Sequence, residues 1–251
     1  MYEFFFGNIN ITQVIVLCCA AVIIGIGKTG MPGLGILPVV ALAIFFPAGF
    51  STGLQLVMLC TADVMAMVYY RRKGNWKIVL RLIPFALAGI ALGSLLLNRV
   101  DDAALTKIIG ILILSLAVLN FIRIHYLKTE SIPSSIWFSF GVGLAAGFTT
   151  QVANAAGPIM ALYLLAMRLP KEEYMGTAVW YFLILNWIKL PIFMWEGRVT
   201  ADSFHVLLAM IPFLLTGAVL GILFIKKAPQ KLFERIVEII IILSSLKLIF
   251  W

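Results

Sequence analysis

Charge is the scarcest ingredient of this 251-residue chain: Asp, Glu, Lys and Arg make up 12% of it, about half the share found in soluble domains. Too few charges remain to cover a water-facing surface, which excludes a soluble globular fold. Acids are the rarer sign, 11 against 19 basic residues, and there are only two histidines. His125 falls in a central linker and His205 near the end of an apolar run, so neither reads as a ligand or a proton carrier. There is no His-Glu-x-x-His zinc motif, no Gly-x-Ser-x-Gly elbow and no pair of acids within an apolar run, which leaves little for catalysis. Cys18, Cys19 and Cys60 are odd in number, lie in apolar runs and lack metal-ligand spacing; they read as small core residues. The run Gly25-Ile-Gly-Lys-Thr-Gly30 lacks the spacing of a phosphate loop and follows no strand, so nucleotide binding is dismissed. No cofactor and no metal is implied. No basic residue precedes the first apolar stretch, so the N-terminus does not read as a removable signal peptide.

What the chain has instead is apolar length. Hydrophobic residues account for 63% of it, in runs that recur from Ile11 to Trp251 with short breaks. A repeat organises them. Gly25 and Gly35 are echoed by Gly147 and Gly157, and Pro84, Gly89 and Gly93 by Pro212, Gly217 and Gly221, while Thr52 aligns with Thr177. Two copies of one unit follow, residues 1–124 and 136–251, joined by a linker at 125–135. Each copy holds five apolar segments, a to e. In copy one they cover 10–27, 33–48, 52–70, 77–98 and 104–123; in copy two, 136–149, 156–168, 173–195, 203–225 and 232–250. Segments c, d and e reach the length of about 20 residues needed to span a bilayer, whereas a and b fall short. The predicted fold is an all-α polytopic membrane protein of two inverted-topology repeats, each a broken or re-entrant helix pair plus three spanning helices.

Basic residues set the orientation. Arg71, Arg72, Lys73, Lys77 and Arg81, Arg123 and Lys128, Arg168 and Lys171, and Lys226, Lys227, Lys231 and Arg235 all fall on one side. The opposite side holds Arg99, Lys107 and Arg198, and Lys28, Lys189 and Lys247 lie within apolar segments. The richer side is therefore cytoplasmic and both termini lie outside, in an inner-membrane protein. The formal charge of +8 is spent on topology, and no nucleic-acid partner is implied. Each half crosses an odd number of times whether a and b span or fold back, so the halves are antiparallel. Of the two arrangements the re-entrant hairpin is preferred, with the tips of the two hairpins meeting near the midplane.

The tips carry the chemistry. Segment b begins just after each tip, so its first turn offers unpaired N–H groups and a partial positive charge, a ready anion site. In copy one the tip brings Lys28, Thr29, Gly30 and Gly33; in copy two it brings Thr149, Thr150, Gln151, Asn154 and Gly157. Segment c adds Thr52 and Gln55 in the first copy and Thr177, Asn186 and Lys189 in the second, the last next to the helix-bending Pro191. All of these are candidate substrate-binding residues; Met31, Trp180 and Tyr181 read first as lipid-facing or packing residues, and only second as an apolar flank for an organic tail. Asp63, the acid deepest in an apolar run, reads either as a proton carrier or as an ion-pair partner for a lysine. Against these stand two plainer readings: glycines that serve only close helix packing and a Lys28 that snorkels to the interface. If Lys28 holds the anion, Lys28→Met should weaken binding severely and leave the fold intact.

In the pattern Gly25-x-Gly-Lys28-x-Gly-x-x-Gly-x-Gly35-x-x-Pro38, in the stretch from Gly147 through Thr149-Thr-Gln-x-Ala-Asn154 to Gly157-Pro158, and in Leu169-Pro-Lys, Gly176-Thr177 and Asn186-x-x-Lys189-Leu-Pro191, the chain resembles the TauE/SafE family of sulfite exporters over essentially its full length. The resemblance implies transport of a small sulfur-containing anion, sulfite or an organosulfonate, across a bilayer by alternating access. An anion channel built from the same parts and a non-transporting membrane scaffold are the competing readings. Oligomeric state is left open, a homodimer among the options.

Overall fold

In this computed structural model the described residues are 10–31, 34–97, 99–101, 104, 105, 107, 108, 111, 136–229, 231, 232, 235 and 239. Among them every regular element is helical. We label the helices α1 (Ile11–Thr29), α2 (Ile36–Phe45), α3 (Ala48–Tyr70), α4 (Trp76–Leu97), α5 (Ile136–Ala153), α6 (Gly157–Ala166), α7 (Lys171–Trp195) and α8 (Ala201–Lys227). Six are long and apolar enough to cross a bilayer; α2 and α6 have ten residues each. The order long, short, long, long thus occurs twice, matching segments a to d of each copy. The linker at 125–135 lies outside the described residues, as does most of both e segments. Apolar side chains such as Ile11, Leu80 and Leu95 are exposed along the helix sides, which suits contact with lipid. Trp137 and Trp195, 78% and 93% exposed at helix ends, stand where indole rings favour the membrane interface.

Segment a departs from expectation. It was judged too short to span, yet α1 has 19 residues and α5 has 18. The helix continues through Gly27-Lys28-Thr29 in one half and Thr150-Gln-Val-Ala153 in the other. In an apolar surround each backbone N–H and C=O must be satisfied within its own segment, so polar residues and glycines do not end a helix as they would in water. The fold-back itself is present. An Asn10–Gln13 capping box starts α1, and the Gln13 side-chain amide also donates to the Phe45 carbonyl at the end of α2, 2.8 Å away. In the second half the Ser139 and Tyr163 hydroxyls lie 3.2 Å apart and Phe138 stacks on the Tyr163 ring, joining the start of α5 to the end of α6. Each pair is therefore a hairpin with one arm of about 28 Å and one of about 15 Å at 1.5 Å per residue. Asn154 makes the second turn: at φ 53° it takes the left-handed conformation that asparagine tolerates and that stops a helix.

The hairpins pack across the halves. The described part of copy one does not close on itself, because α1 lies along α8 while α5 lies along α4. Glycines make both crossings. Gly25 faces the backbone of Leu214, Gly217 and Ala218, and Gly30 faces Gly221; at the other crossing Gly89 faces Leu144 and Gly147, and Gly147 faces Ala86. A methyl group at any of these positions would collide with main chain. Most of the glycines that reveal the repeat are thus helix-packing residues, small so that two backbones can touch.

Helix α3, 72% buried over its apolar window, is the axis of the molecule. The Tyr70 hydroxyl at its end donates to the Thr29 carbonyl at the tip of hairpin one, 2.7 Å away. Near its start the Thr52 carbonyl accepts from the Asn154 side chain at the tip of hairpin two, at 2.8 Å. Those contacts are 18 residues, or about 27 Å, apart along one helix. The two hairpins therefore reach α3 toward its opposite ends, and the flank between them is made by residues at and beside both tips.

Candidate functional site

That flank encloses a cavity. Gly27, Lys28 and Gly35 come to it from hairpin one, and Thr150, Asn154 and Gly157 from hairpin two, with Asn186 of α7 beside them. The remaining wall is apolar, chiefly Met160 and Leu164 of α6 and Met175, Val179 and Phe182 of α7. About 60 Å³ is open to the centres of water-sized molecules, which admits several waters or one small oxyanion. Gly35 and Gly157 face it with no atom within 4 Å of where a Cβ would stand. They sit at the starts of α2 and α6, and neither start carries a side-chain cap. Two helix starts, each with a partial positive charge, therefore face this cavity.

Two lysines and one acid lie at it or directly behind its wall. The Lys28 ammonium, on a side chain 14% exposed, lies 2.6 Å from Asp63 Oδ1 and 4.4 Å from the centre of the Phe182 ring. Asp63 is fully buried, and its other oxygen accepts from the Asn186 amide at 2.6 Å. Asp63 thus stands in ion-pair geometry with Lys28, which reaches inward to it instead of snorkelling. Lys189, also fully buried, donates to the Thr150 carbonyl and hydroxyl at 2.9 Å and to Asn154 Oδ1 at 2.7 Å. Three acceptors match the three donors of an ammonium. No carboxylate lies among those contacts, and the Lys189 amine stands directly behind two residues that line the cavity. The amine itself does not line it.

The other sequence-derived candidates are placed elsewhere. The Thr29 hydroxyl donates to the carbonyls of Gly25 and Ala218, both at 2.9 Å, binding α1 to α8. Gly30 is covered by Gly221. Thr149 turns its hydroxyl back to the Ala145 carbonyl at 2.8 Å, and Gln55 is buried away from the cavity. Gly33 lies outside the described residues. Of the proposed apolar flank, Trp180 packs on Trp76, Tyr181 is buried against Phe182, and Met31 does not line the cavity; Phe182, Met160 and Met175 take that place.

Thr52, Gln151 and Thr177 belong to two clusters that sequence reasoning missed. At one, the turn after α7 brings Arg198, 7% exposed, onto Thr52: Nη2 and Nε donate to the hydroxyl at 2.5 and 3.2 Å. The same guanidinium donates to the Gln151 and Val152 carbonyls at 3.2 and 3.3 Å, pairs with Glu196 at 3.3 Å and lies over the Phe193 ring. Gln151 in turn donates to Glu196 at 3.2 Å and to Ser94 at 2.8 Å. At the other, the turn after α3 meets the start of α7: the Asn75 N–H donates to the Thr177 hydroxyl at 2.9 Å, its side-chain amide donates to Glu173 at 2.8 Å, and Lys73 pairs with Glu172. The hydrogen bond and charge of Glu172 raise the pKa of the exposed Lys73. In each cluster the turn following segment c of one copy grips the threonine near the start of segment c of the other. Arg198 had been counted as a loop charge. Its place on the side poor in basic residues was the signal that it had work other than topology.

Spanning-length apolar helices, two deep hairpins and a cavity faced by helix starts define a polytopic membrane protein with an enclosed internal cavity. The sequence profile of the family described as Sulfite exporter TauE/SafE matches residues 14–248, and the chain belongs to that family, one of membrane transporters of sulfite or related anions. No curated protein and no solved structure gives a significant match.

Proposed function

We propose that the protein exports sulfite or a small organosulfonate across a bacterial inner membrane by alternating access, with the anion held at Gly35, Gly157 and Lys28. The observation that carries this reading is the pair of uncapped helix starts opening on one cavity. Backbone N–H groups there reach oxyanion oxygens without side-chain bulk. The apolar wall made by Met160, Met175 and Phe182 accepts an organic tail. Residues 1–124 and 136–251 act as inverted repeats about this site, a reading supported by the hairpins reaching opposite ends of α3 and by the exchanged packing of α1 and α5. Rocking one set against the other exposes the anion to each side in turn. The excess of Lys and Arg puts the Tyr70 end of α3 and the Lys171 end of α7 in the cytoplasm, with both termini outside. An inside-negative potential then favours outward movement by about 2.3 kcal/mol per charge at 100 mV.

Proteoliposomes containing the purified protein test the proposal. Sulfite or sulfoacetate uptake should saturate with concentration and accelerate when the vesicles are preloaded with the unlabelled anion. A flux that neither saturates nor shows counterflow would identify a channel, and no flux of any sulfur anion would reject transport.

A further inference from the structure

We infer that the Arg198 cluster is a gate, the closed end of the translocation path, and not a static support for the turn it occupies; the inference rests on the transport reading above. Its position argues first. The cavity follows α7 from Tyr174 to Asn186 and no further, and neither Thr52, Gln151, Glu196 nor Arg198 lines it. The cluster stands directly behind the polar end: Asn154, which lines the cavity, donates to the carbonyl of Thr52, and Thr52 holds Arg198 through its hydroxyl. An ion leaving the cavity toward the Trp195 end of α7 has to pass through these residues.

Composition argues next. The cluster joins elements that the rocking motion must separate, with Thr52 and Ser94 from copy one and Gln151, Val152, Glu196 and Arg198 from copy two. Beside its stacking on Phe193, the guanidinium makes hydrogen bonds to one hydroxyl, two carbonyls and one carboxylate. Water can replace every one of them when the elements part, so opening exposes groups that hydrate well, whereas a seal of interlocked apolar side chains would have to be exposed to water. Close packing completes the closure, since Gly53 lies against the main chain of Arg198 so tightly that no Cβ fits.

The second cluster, where Asn75 meets Thr177, is the counterpart at the opposite end. It joins the corresponding turn to the corresponding threonine, but its outer pair is open to solvent, with the Lys73 and Glu172 side chains 54% and 48% exposed against 7% and 11% for Arg198 and Glu196. One end is thus sealed by buried charges while the matching end has its charges at the surface. That asymmetry is what a carrier shows when its path is shut at one face.

Cross-linking tests it. Cysteines are introduced by Thr52→Cys and Arg198→Cys, with the native cysteines replaced by alanine, and joined by a short bifunctional thiol reagent in proteoliposomes. If the cluster is a gate, the joined protein loses at least about 90% of its flux and recovers it when a cleavable linker is reduced. Full flux in the joined protein overturns the proposal. A second arm needs no substrate: a cysteine at Ala161 or Ala178, both on the cavity wall, is labelled by a membrane-impermeant thiol reagent in oriented vesicles. Arg198→Gln, and separately the milder Thr52→Val, should raise labelling from the Trp195 side about tenfold or more. Unchanged labelling in variants that elute as the parent does also overturns it. If instead no sulfur anion is carried by the unmodified protein but labelling still responds, the substrate assignment fails and the gate stands.

Discussion

Replacing Asp63 with asparagine should make the protein bind its anion more tightly. The carboxylate lies 2.6 Å from the Lys28 amine and completes that charge from the side away from the cavity. An anion touching Lys28 from the cavity side would sit about 6 Å from Asp63, where two like charges repel by about 2.8 kcal/mol at an effective dielectric constant of 20. Removing that repulsion corresponds to as much as about 100-fold in affinity, and relaxation and water reduce it, so about tenfold is the expected minimum. The amide keeps the shape and its contact with Asn186. Without ligand the variant should melt lower than the parent, because Lys28 has lost its partner. At one saturating sulfite concentration the variant should then regain more stability than the parent gains, by about 1.4 kcal/mol for tenfold tighter binding. Calorimetric titration and thermal unfolding in detergent, with sulfite as the probe, read both effects. Equal or weaker sulfite binding by Asp63→Asn would show that Asp63 does not compete for Lys28, and the charge argument for the site would fall.

Lys28→Met alone should cost about 3–5 kcal/mol of stability, since it strands a buried carboxylate, so its sulfite binding has to be measured beside its thermal unfolding. Lys28→Met with Asp63→Asn should recover most of that loss in thermal unfolding yet bind sulfite at least about tenfold more weakly than the parent, at the roughly 1.4 kcal/mol that tenfold represents. The glycines should divide by neighbourhood. Gly147→Ala and Gly217→Ala drive a methyl into the main chain of Ala86 and Val22 and should each lower stability by about 1–3 kcal/mol, whereas Gly35→Ala and Gly157→Ala, with open space before them, should melt within a degree or two of the parent and lose anion affinity in the same titration.

Helix class, the recurring order of long and short helices and the hairpins were legible in the sequence because lipid leaves so few options. Apolar length and interrupted short segments report directly on a backbone that has to satisfy itself. The roles of individual polar residues were less legible. Thr29, Thr52, Thr149 and Thr177 look alike as hydroxyls in apolar runs, yet all four serve helix backbones or a partner turn, because a buried hydroxyl takes the nearest carbonyl or cation whichever face it is on. Glycine was ambiguous for the same reason: Gly25 and Gly35 belong to one motif, one under Leu214 and the other facing the cavity. The length of α1 was misjudged by treating Gly27 and Lys28 as breakers. Arg198 was missed because a charge in a short polar turn resembles an ordinary loop residue until the turn is seen to fold under Phe193.

The pairing of α1 with α8 has a consequence for how the chain is made. Gly25 meets Gly217 about 190 positions later, which at 5–20 residues per second is about 10–40 s of synthesis. For that interval the first helix resides in the bilayer with its small-residue face uncovered and Lys28 in its last turn. Ribosome-bound intermediates should therefore be the vulnerable species in the life of this protein, and premature termination anywhere before α8 should yield a product that quality-control proteases recognise by its first helix.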